Sequence, residues 1–459
     1  MEAKYEQRKQ ELLEECTVAP QVFDRVMPRL ERFMQPFVKS LARREQADHA
    51  HTFVQGLLSD LETKNTESIA YRFGQERMPL QWFVGMSDWA DAPLREELVR
   101  QVGQQLGRDD GVLVFDPSAF PKSGQESVGV KRQWCGRLGK VDNCQVAVYL
   151  GYVSAEEHAL VDMRLYLPKE WTKDRQRREK AGVPPELRYR TRHRLCLEML
   201  DHHGDKLPHG WIAGDDELGR PYAFRRRLDR RGERYLLAVP SNTTIRDLET
   251  DEPAYSGHGR PPKRPWQRVD NWAASLPQHA WTKVDVRDGS KGPLMIEIVK
   301  RRVVGRNHRR QEGHPEVLVV IRYRDREDRR VVKTDYYLSN ASPDVELAEF
   351  ARVAKAEHRI EECLQRAKSE AGLGDYEVRR WKGWHHHQTL SLIATWFLVS
   401  EARRGKKMDA CNYRRASPRG HFRNPSSAAR MRYFLSNTTR TPTATGAQRS
   451  RATVPLEAA

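Results

Sequence analysis

The sequence predicts an α/β protein: a mixed-sheet core, preceded by an α-helical domain and interrupted by a β-rich insertion. Three observations carry that prediction. The first hundred or so residues place apolar side chains at helical spacing. Two short apolar runs then each end in an aspartate, Gly111-Val-Leu-Val-Phe115 before Asp116 and Trp211-Ile-Ala-Gly214 before Asp215. A series of strand-like runs finally separates the second aspartate from a long charged helix.

The helical domain is assigned to residues 1–110. Phe23, Val26, Met27, Leu30 and Phe33 share one helical face, as do Phe53, Leu57, Leu58 and Leu61, and a further helix spans 94–106. An all-helical domain ahead of the core suits a reader of DNA ends, although no recognition-helix motif is present.

The texture changes at Gly111. Residues 111–115 read as a buried strand, and a Gly- and Lys-rich loop follows over 117–142. Runs 145–153 and 160–167, joined by the polar turn SAEEH, read as a hairpin. Then come a helix over 185–200, the strand 211–214, a basic helix over 221–231 and a strand over 235–239. Strand, strand, strand, helix, strand, helix, strand is the order of an RNase H-like core. Its first and fourth strands are neighbours, which sets Asp116 and Asp215 side by side at their carboxyl ends.

That first part of the core occupies 111–242. The β-rich insertion, 243–342, opens on PAYSGHGRPPKRP and carries strand-like runs at 281–286, 295–304, 317–323 and 331–338. Helices over 344–370 and 387–403 close the core within 343–404. From Gly405 the chain is rich in Ser, Thr, Arg, Pro and Asn, which predicts a basic disordered tail over 405–459.

Charge points to a polyanionic partner. The 459 residues carry a net charge of +17, and 38% of them are hydrophobic. From Ala402 onward 13 Lys and Arg face two acids, so that end holds +11 of the +17. Such a segment binds nucleic acid by neutralising phosphates. The longest apolar run, 390–399, is shorter than the roughly 20 residues of a membrane span, which excludes a membrane protein. The opening MEAKYEQRKQ has no apolar signal core, and the six cysteines form neither a CxxC pair nor zinc-ligand spacing. A cytoplasmic, nucleoid-associated protein is expected.

Acids that end buried strands suggest metal chemistry. Cleavage of a phosphodiester by two ions needs carboxylates converging from different elements, and hard Mg²⁺ prefers such oxygen ligands. Asp116 and Asp215 meet the first requirement, although Asp216 and Glu217 leave the register open by a residue or two. A third acid must come from the closing helix ARVAKAEHRIEECLQRAKSE. Glu361 and Glu362 lie beside the apolar pair Ile360 and Leu364, and Lys368 is two turns beyond Glu361 on the same side. Glu377 is a further candidate.

Basic and aromatic residues flank these acids. Lys122, Lys131, Arg132, Arg137 and Lys140 stand among glycines and Trp134 in the first loop, placed to contact DNA phosphates. Arg379, Arg380 and Trp381, with Lys382 and Trp384, offer charge and stacking for a DNA strand. His385-His386-His387 reads as a polar helix start, because successive helical residues point about 100° apart and cannot share one ion.

HRIEECLQRAK resembles the Tyr-Arg-Glu-Lys signature of DDE transposases from insertion sequences. With Glu361 as its Glu, Lys368 falls on its Lys, while Ala354 and Glu357 replace its Tyr and Arg. FDPSAFPKSGQESVGVKRQWCGRLGKVDNCQVAV, GWIAGDDELGR and GLGDYEVRRWKGWHHHQTLSLIA look like further blocks of the insertion sequence seven-zero-one group. The resemblance covers residues 30–403 and implies a transposase. Asp116, Asp215 and Glu361 would hold two Mg²⁺ ions, with Mn²⁺ able to substitute. Double-stranded DNA would be the partner, transposon ends and target alike, bound by a homodimer. The alternatives are a nuclease with the same core that joins no strands, and a domesticated or decayed DNA-binding protein without catalysis.

Overall fold

The structure is a computed structural model and describes residues 25–416, except 256, 260–261, 290–291, 308, 310 and 326–329. The amino-terminal helices are α1 (Val26–Val38), α2 (Arg44–Leu57), α3 (Thr66–Arg72), α4 (Arg77–Gly85) and α5 (Ala92–Leu106). Local chemistry starts them. Asn65 caps α3 by accepting the Ser68 amide at 2.8 Å, and Pro93 sits in the first turn of α5. Strands β1 (Val112–Pro121), β2 (Lys131–Cys135), β3 (Lys140–Val153) and β4 (His158–Leu165) follow. Helices α6 (Lys169–Lys173), α7 (Arg175–Ala181) and α8 (Arg192–His203) lead to β5 (Trp211–Gly214). Next are α9 (Asp216–Gly219), α10 (Tyr222–Asp229), β6 (Tyr235–Ala238), β7 (Thr244–Asp247), β8 (Gln267–Arg268) and α11 (Val269–Ser275). The chain ends its described part with β9 (Thr282–Gly289), β10 (Gly292–Arg306), β11 (Glu312–Arg324), β12 (Val331–Ser339), α12 (Leu347–Glu370) and α13 (Trp381–Ala416).

Among the described residues the strands form one mixed sheet, ordered β2-β3-β1-β5-β6-β12-β11-β10-β7-β8, with β4 on β3 and β9 on β10. β1, β5 and β6 run parallel, while β3 is antiparallel to both β1 and β4. This is the expected RNase H-like core. The inserted strands do not stand apart from it. β12 pairs antiparallel with β6, Leu338 opposite Leu237, so the insertion continues the core sheet from what would otherwise be an open edge.

Burial follows the two-residue period of the strands. On β11, Val317, Val319 and Ile321 face the main core, whereas Leu318 and Val320 join a second cluster with Trp272, Trp281 and Val303. The amino-terminal helices have no core of their own. One apolar core runs from Val26 and Phe37 through β1 and β3 to Trp396. Helix α13 is the reason. Trp384, Leu390, Ile393, Ala394 and Trp396 are buried around its circumference, and it packs on α2, α4 and α5 as well as on β4.

Three expectations on extent need correction. β1 continues through Asp116 to Pro121, because β3 pairs with it along its whole length. The helix expected over 185–200 is Arg192–His203, started by Thr191, whose hydroxyl accepts the Arg194 amide. The closing helix begins at Trp381 and runs to Ala416, so residues 405–416, assigned to the tail, are helical. Gly405 does not stop it, since no proline follows until Pro418. The rest of the expected tail, 417–459, lies outside the described residues, as does Phe23.

Candidate metal centre of the sheet

The strand register creates the site. β1 and β5 pair in parallel as far as Phe115 opposite Gly214, and there the pairing ends. Asp116, still on β1, and Asp215, just past the end of β5, are the next residues, so their side chains leave neighbouring backbones where the two strands part. Asp215 also caps α9, its carboxylate accepting the Leu218 amide at 3.0 Å. Asp215 is partly buried, and its two acidic neighbours are placed differently. Glu217 is tied to Arg192, and Asp216 is exposed.

Helix α12 supplies the remaining acids, and its docking depends on a glycine. A Cβ at Gly151 on β3 would collide with the Ile360 side chain. That missing methyl lets α12 lie close on the sheet, which fixes the face it presents to the two aspartates. Glu361 lines the cleft on that face with an exposed side chain, and His358 Nδ1 stands 3.5 Å from its carboxylate. Glu357, one turn earlier, is there too, more deeply placed. Glu362 points elsewhere and pairs with Arg366 at 2.5 Å. Glu377 accepts from Asn65 Nδ2 at 2.9 Å and takes no part.

The electrostatics show how closely the acids are gathered. Burial, then Asp215 and Glu361, push the Asp116 carboxyl up to about 8, with Lys368 opposing. Burial and the neighbouring Glu217 and Asp216 raise Asp215 to about 7, against the Leu218 amide. Glu357 is held well above the usual carboxylate range by burial and by Asp215, Glu361, Asp116 and Asp335. Lys368 Nζ donates to Ser118 Oγ at 2.6 Å beside Asp116. A cleft of about 590 Å³ opens onto Asp215, Glu357 and Glu361, walled by Tyr323 and Asp335 of the inserted strands. Glu357 was missed as an acid because it falls where the signature has Arg. Its place four residues before Glu361 was the available signal.

The expected DNA contacts separate into two groups. Arg132, Arg137, Lys140, Arg379 and Arg380 are exposed, and Arg137 is near enough to Lys368 to disfavour its charge. Lys131 is partly covered and bridges to Glu170 at 2.5 Å, and Lys140 pairs with Asp142 at 3.1 Å. Lys122 is committed inside the protein. Its ammonium donates to the Tyr376 carbonyl at 3.0 Å and stands over the Tyr376 ring, and burial lowers its pKa to about 8. Trp381 is half-buried against His385, with ring centroids 4.3 Å apart, and packs rather than presenting a free face. The three histidines are buried, not a polar helix start. Each sets a ring nitrogen on a backbone carbonyl, of Trp381, Val84 or Trp89, and Gly372.

Asp116, Asp215, Glu357 and Glu361 gather their oxygens here, with Lys368 set against Asp116, Arg192 against Asp215 and His358 against Glu361. Hard divalent cations suit such a set. Among the described residues no helix is long and apolar enough to cross a membrane.

Comparison with known proteins agrees with this geometry. The chain is 23% identical over 328 residues to the "Probable transposase for insertion sequence element IS701" of Microchaete diplosiphon, across 70% of this chain and 74% of that protein. The family model described as "DDE superfamily endonuclease" matches residues 36–293, a span that includes Asp116 and Asp215. That match covers more than half of the chain, and the chain belongs to the DDE superfamily endonuclease family.

Proposed function

We propose that this protein is an insertion-sequence transposase that cuts DNA at transposon ends and joins the freed 3′-OH to target DNA. The carrying observation is the convergence of Asp116, Asp215 and the α12 glutamates where β1 and β5 part. Asp116, Asp215 and Glu361 would together hold two Mg²⁺ ions. When bound, the ions activate the attacking oxygen and stabilise the leaving one, and Mn²⁺ can replace Mg²⁺. In the first step a water oxygen bonds to phosphorus and the P–O3′ bond breaks, leaving a 3′-OH. In the second, that 3′ oxygen attacks a target phosphorus and displaces another 3′ oxygen.

The chain's own groups do the positioning. Exposed Arg132, Arg137, Lys140, Arg379 and Arg380 would hold phosphates, and Lys368 would hold the strand nearest Asp116. The 3′-OH requires two DNA ends and a target to be held together, which a dimer would supply. Activity on DNA would keep the protein with the nucleoid.

The test is cleavage of labelled transposon-end DNA with Mg²⁺ or Mn²⁺, beside a gel shift on the same DNA. Asp116→Asn, Asp215→Asn and Glu361→Gln should abolish cleavage and retain binding. Asn also preserves the α9 cap at 215. Full cleavage by Asp116→Asn would refute the triad. Cleavage without joining in a strand-transfer assay would leave a nuclease, and binding without cleavage by the wild type would leave a DNA-binding protein. A second reading of the third acid has its own observation: Glu357 is the more deeply placed of the pair. Under that reading Glu357→Gln, and not Glu361→Gln, removes cleavage.

A further inference from the structure

We propose that Glu96, His202 and His203 form a second metal site, built for Zn²⁺ or a similar transition ion, that ties α5 to α8 outside the acidic cluster. One ligand atom from each of the three lies within 4.8 Å of the others. Glu96 comes from the amino-terminal helices, and the histidines end α8 of the core.

His203 is the informative member. Its side chain is 1% exposed, and its Nε2 lies 3.0 Å from Asp162 Oδ2. Asp162 is itself wholly buried and kept ionised by Arg95 and Arg164. A carboxylate there places the imidazole proton on Nε2 and leaves the lone pair on Nδ1. That Nδ1 is buried and makes no hydrogen bond. An orphaned basic nitrogen, with a carboxylate behind the opposite edge of the ring, is the arrangement of a metal-binding histidine and its outer support.

The other contacts are consistent with an ion arriving between existing partners. His202 Nε2 is hydrogen-bonded to Glu96 Oε1, and its ring lies edge-on to that of His203 with centroids 4.5 Å apart. Lys206 Nζ holds Glu96 Oε2 at 2.7 Å. Lys206 supplies the positive charge that the ion would otherwise bring, and its side chain is exposed enough to turn to solvent. Ligand atoms about 3.3 Å apart are what a tetrahedral ion with Zn–N near 2.0 Å requires. His202 and Glu96 are at the surface and can close the remaining gap. Two imidazoles and one carboxylate, with water completing the shell, select zinc and its neighbours over Mg²⁺. The bound ion would cross-link the amino-terminal helices to the core at the solvent edge of their shared interior.

The test uses the full chain carrying Asp116→Asn and Asp215→Asn, so that the acidic cluster does not compete. Zn²⁺ is titrated by calorimetry, and Co²⁺ is followed by its visible absorption bands. One ion should bind, the bands should appear, and Zn²⁺ should raise Tm. Adding His202→Ala or Glu96→Gln should weaken binding at least about tenfold, erase the bands and remove the Tm rise. Both residues are at the surface, so the metal-free Tm should hold near that of the parent. No Zn²⁺ binding by the parent would overturn the proposal, as would parent-like binding by both added variants.

Discussion

Asp162 on β4 and Asp116 on β1 are carboxylates of one sheet, both withdrawn from solvent, and the fold treats them oppositely. Asp162 receives Arg95 at 2.5 Å, Arg164 at 2.5 Å and His203 at 3.0 Å. These partners outweigh burial and hold its carboxyl well below the usual range. Asp116 receives acids instead, and its carboxyl rises to about 8. On the proposed function, the difference separates a structural charge from a functional one. A structural charge is neutralised by the protein itself. A functional one is left wanting, so that a ligand supplies the missing charge at the moment of use.

The strongest way to break that comparison is to remove each carboxylate in turn. Asp162→Asn takes from Arg95 and Arg164 the carboxylate they share, leaving Arg95 with Asp91 alone, and should cost about 3 kcal/mol in a denaturant titration. Asp116→Asn should cost nothing without metal. Equal losses from the two would end the distinction.

Next in size is the pH dependence of the metal-free protein. The folded values of Asp116 and Asp215, about 8 and about 7, lie above the unfolded carboxyl value near 4. Their contribution is therefore fully present below about pH 4 and is lost as pH rises through 7 to 8. Asp162 has the opposite sign: its contribution is present above the unfolded value and is lost as pH falls through the folded one. Asp116→Asn should melt above the wild type by an amount growing from pH 5 to pH 8.5, to about 1–3 kcal/mol. Mg²⁺ should close the gap by stabilising only the wild type. A constant gap would place the raised value elsewhere.

Gly151→Ala sharpens the role of α12. The added methyl meets Ile360, so the helix must shift, at about 1–2 kcal/mol in thermal denaturation. Mg²⁺ affinity should fall with it, because Glu357 and Glu361 ride on that helix. Unchanged affinity would show that the acids do not depend on this docking. The smallest effect belongs to the exposed charges. Arg137→Ala should lower the slope of log K against log salt for DNA binding by about one, with the folded state unaffected. Lys122→Ala, at a lysine already spent on Tyr376, should leave that slope alone and lower stability instead.

Much of the site was legible because its signals are local. An apolar run ending in an acid marks Asp116 and Asp215 without any neighbour being known. Glu361 needed the spacing to Lys368 and the resemblance of the whole segment. Glu357 could not be weighed from spacing alone, since most helical glutamates face solvent, and Lys122 reads like any loop lysine until Tyr376 is placed beside it. The tail boundary failed for a simpler reason: a glycine was given more power to end a helix than it has when its neighbours continue the turn.

By itself, the sequence determined the order of the main core strands and helices, though not β2 inside the expected loop 117–142 nor β7 and β8, together with the two aspartates at the parting of β1 and β5 and a basic chain suited to DNA. These follow from side-chain periodicity and composition, which act over a few residues. Only the tertiary structure decided that the inserted strands extend the core sheet through β6 and β12, and that the amino-terminal helices share its interior. It alone decided which buried carboxylate is paid in full. Asp162 meets Arg95, 67 residues away in the chain, and nothing near either residue announces the other. Charge compensation is a property of neighbours in space, and a chain discloses those only once it is folded.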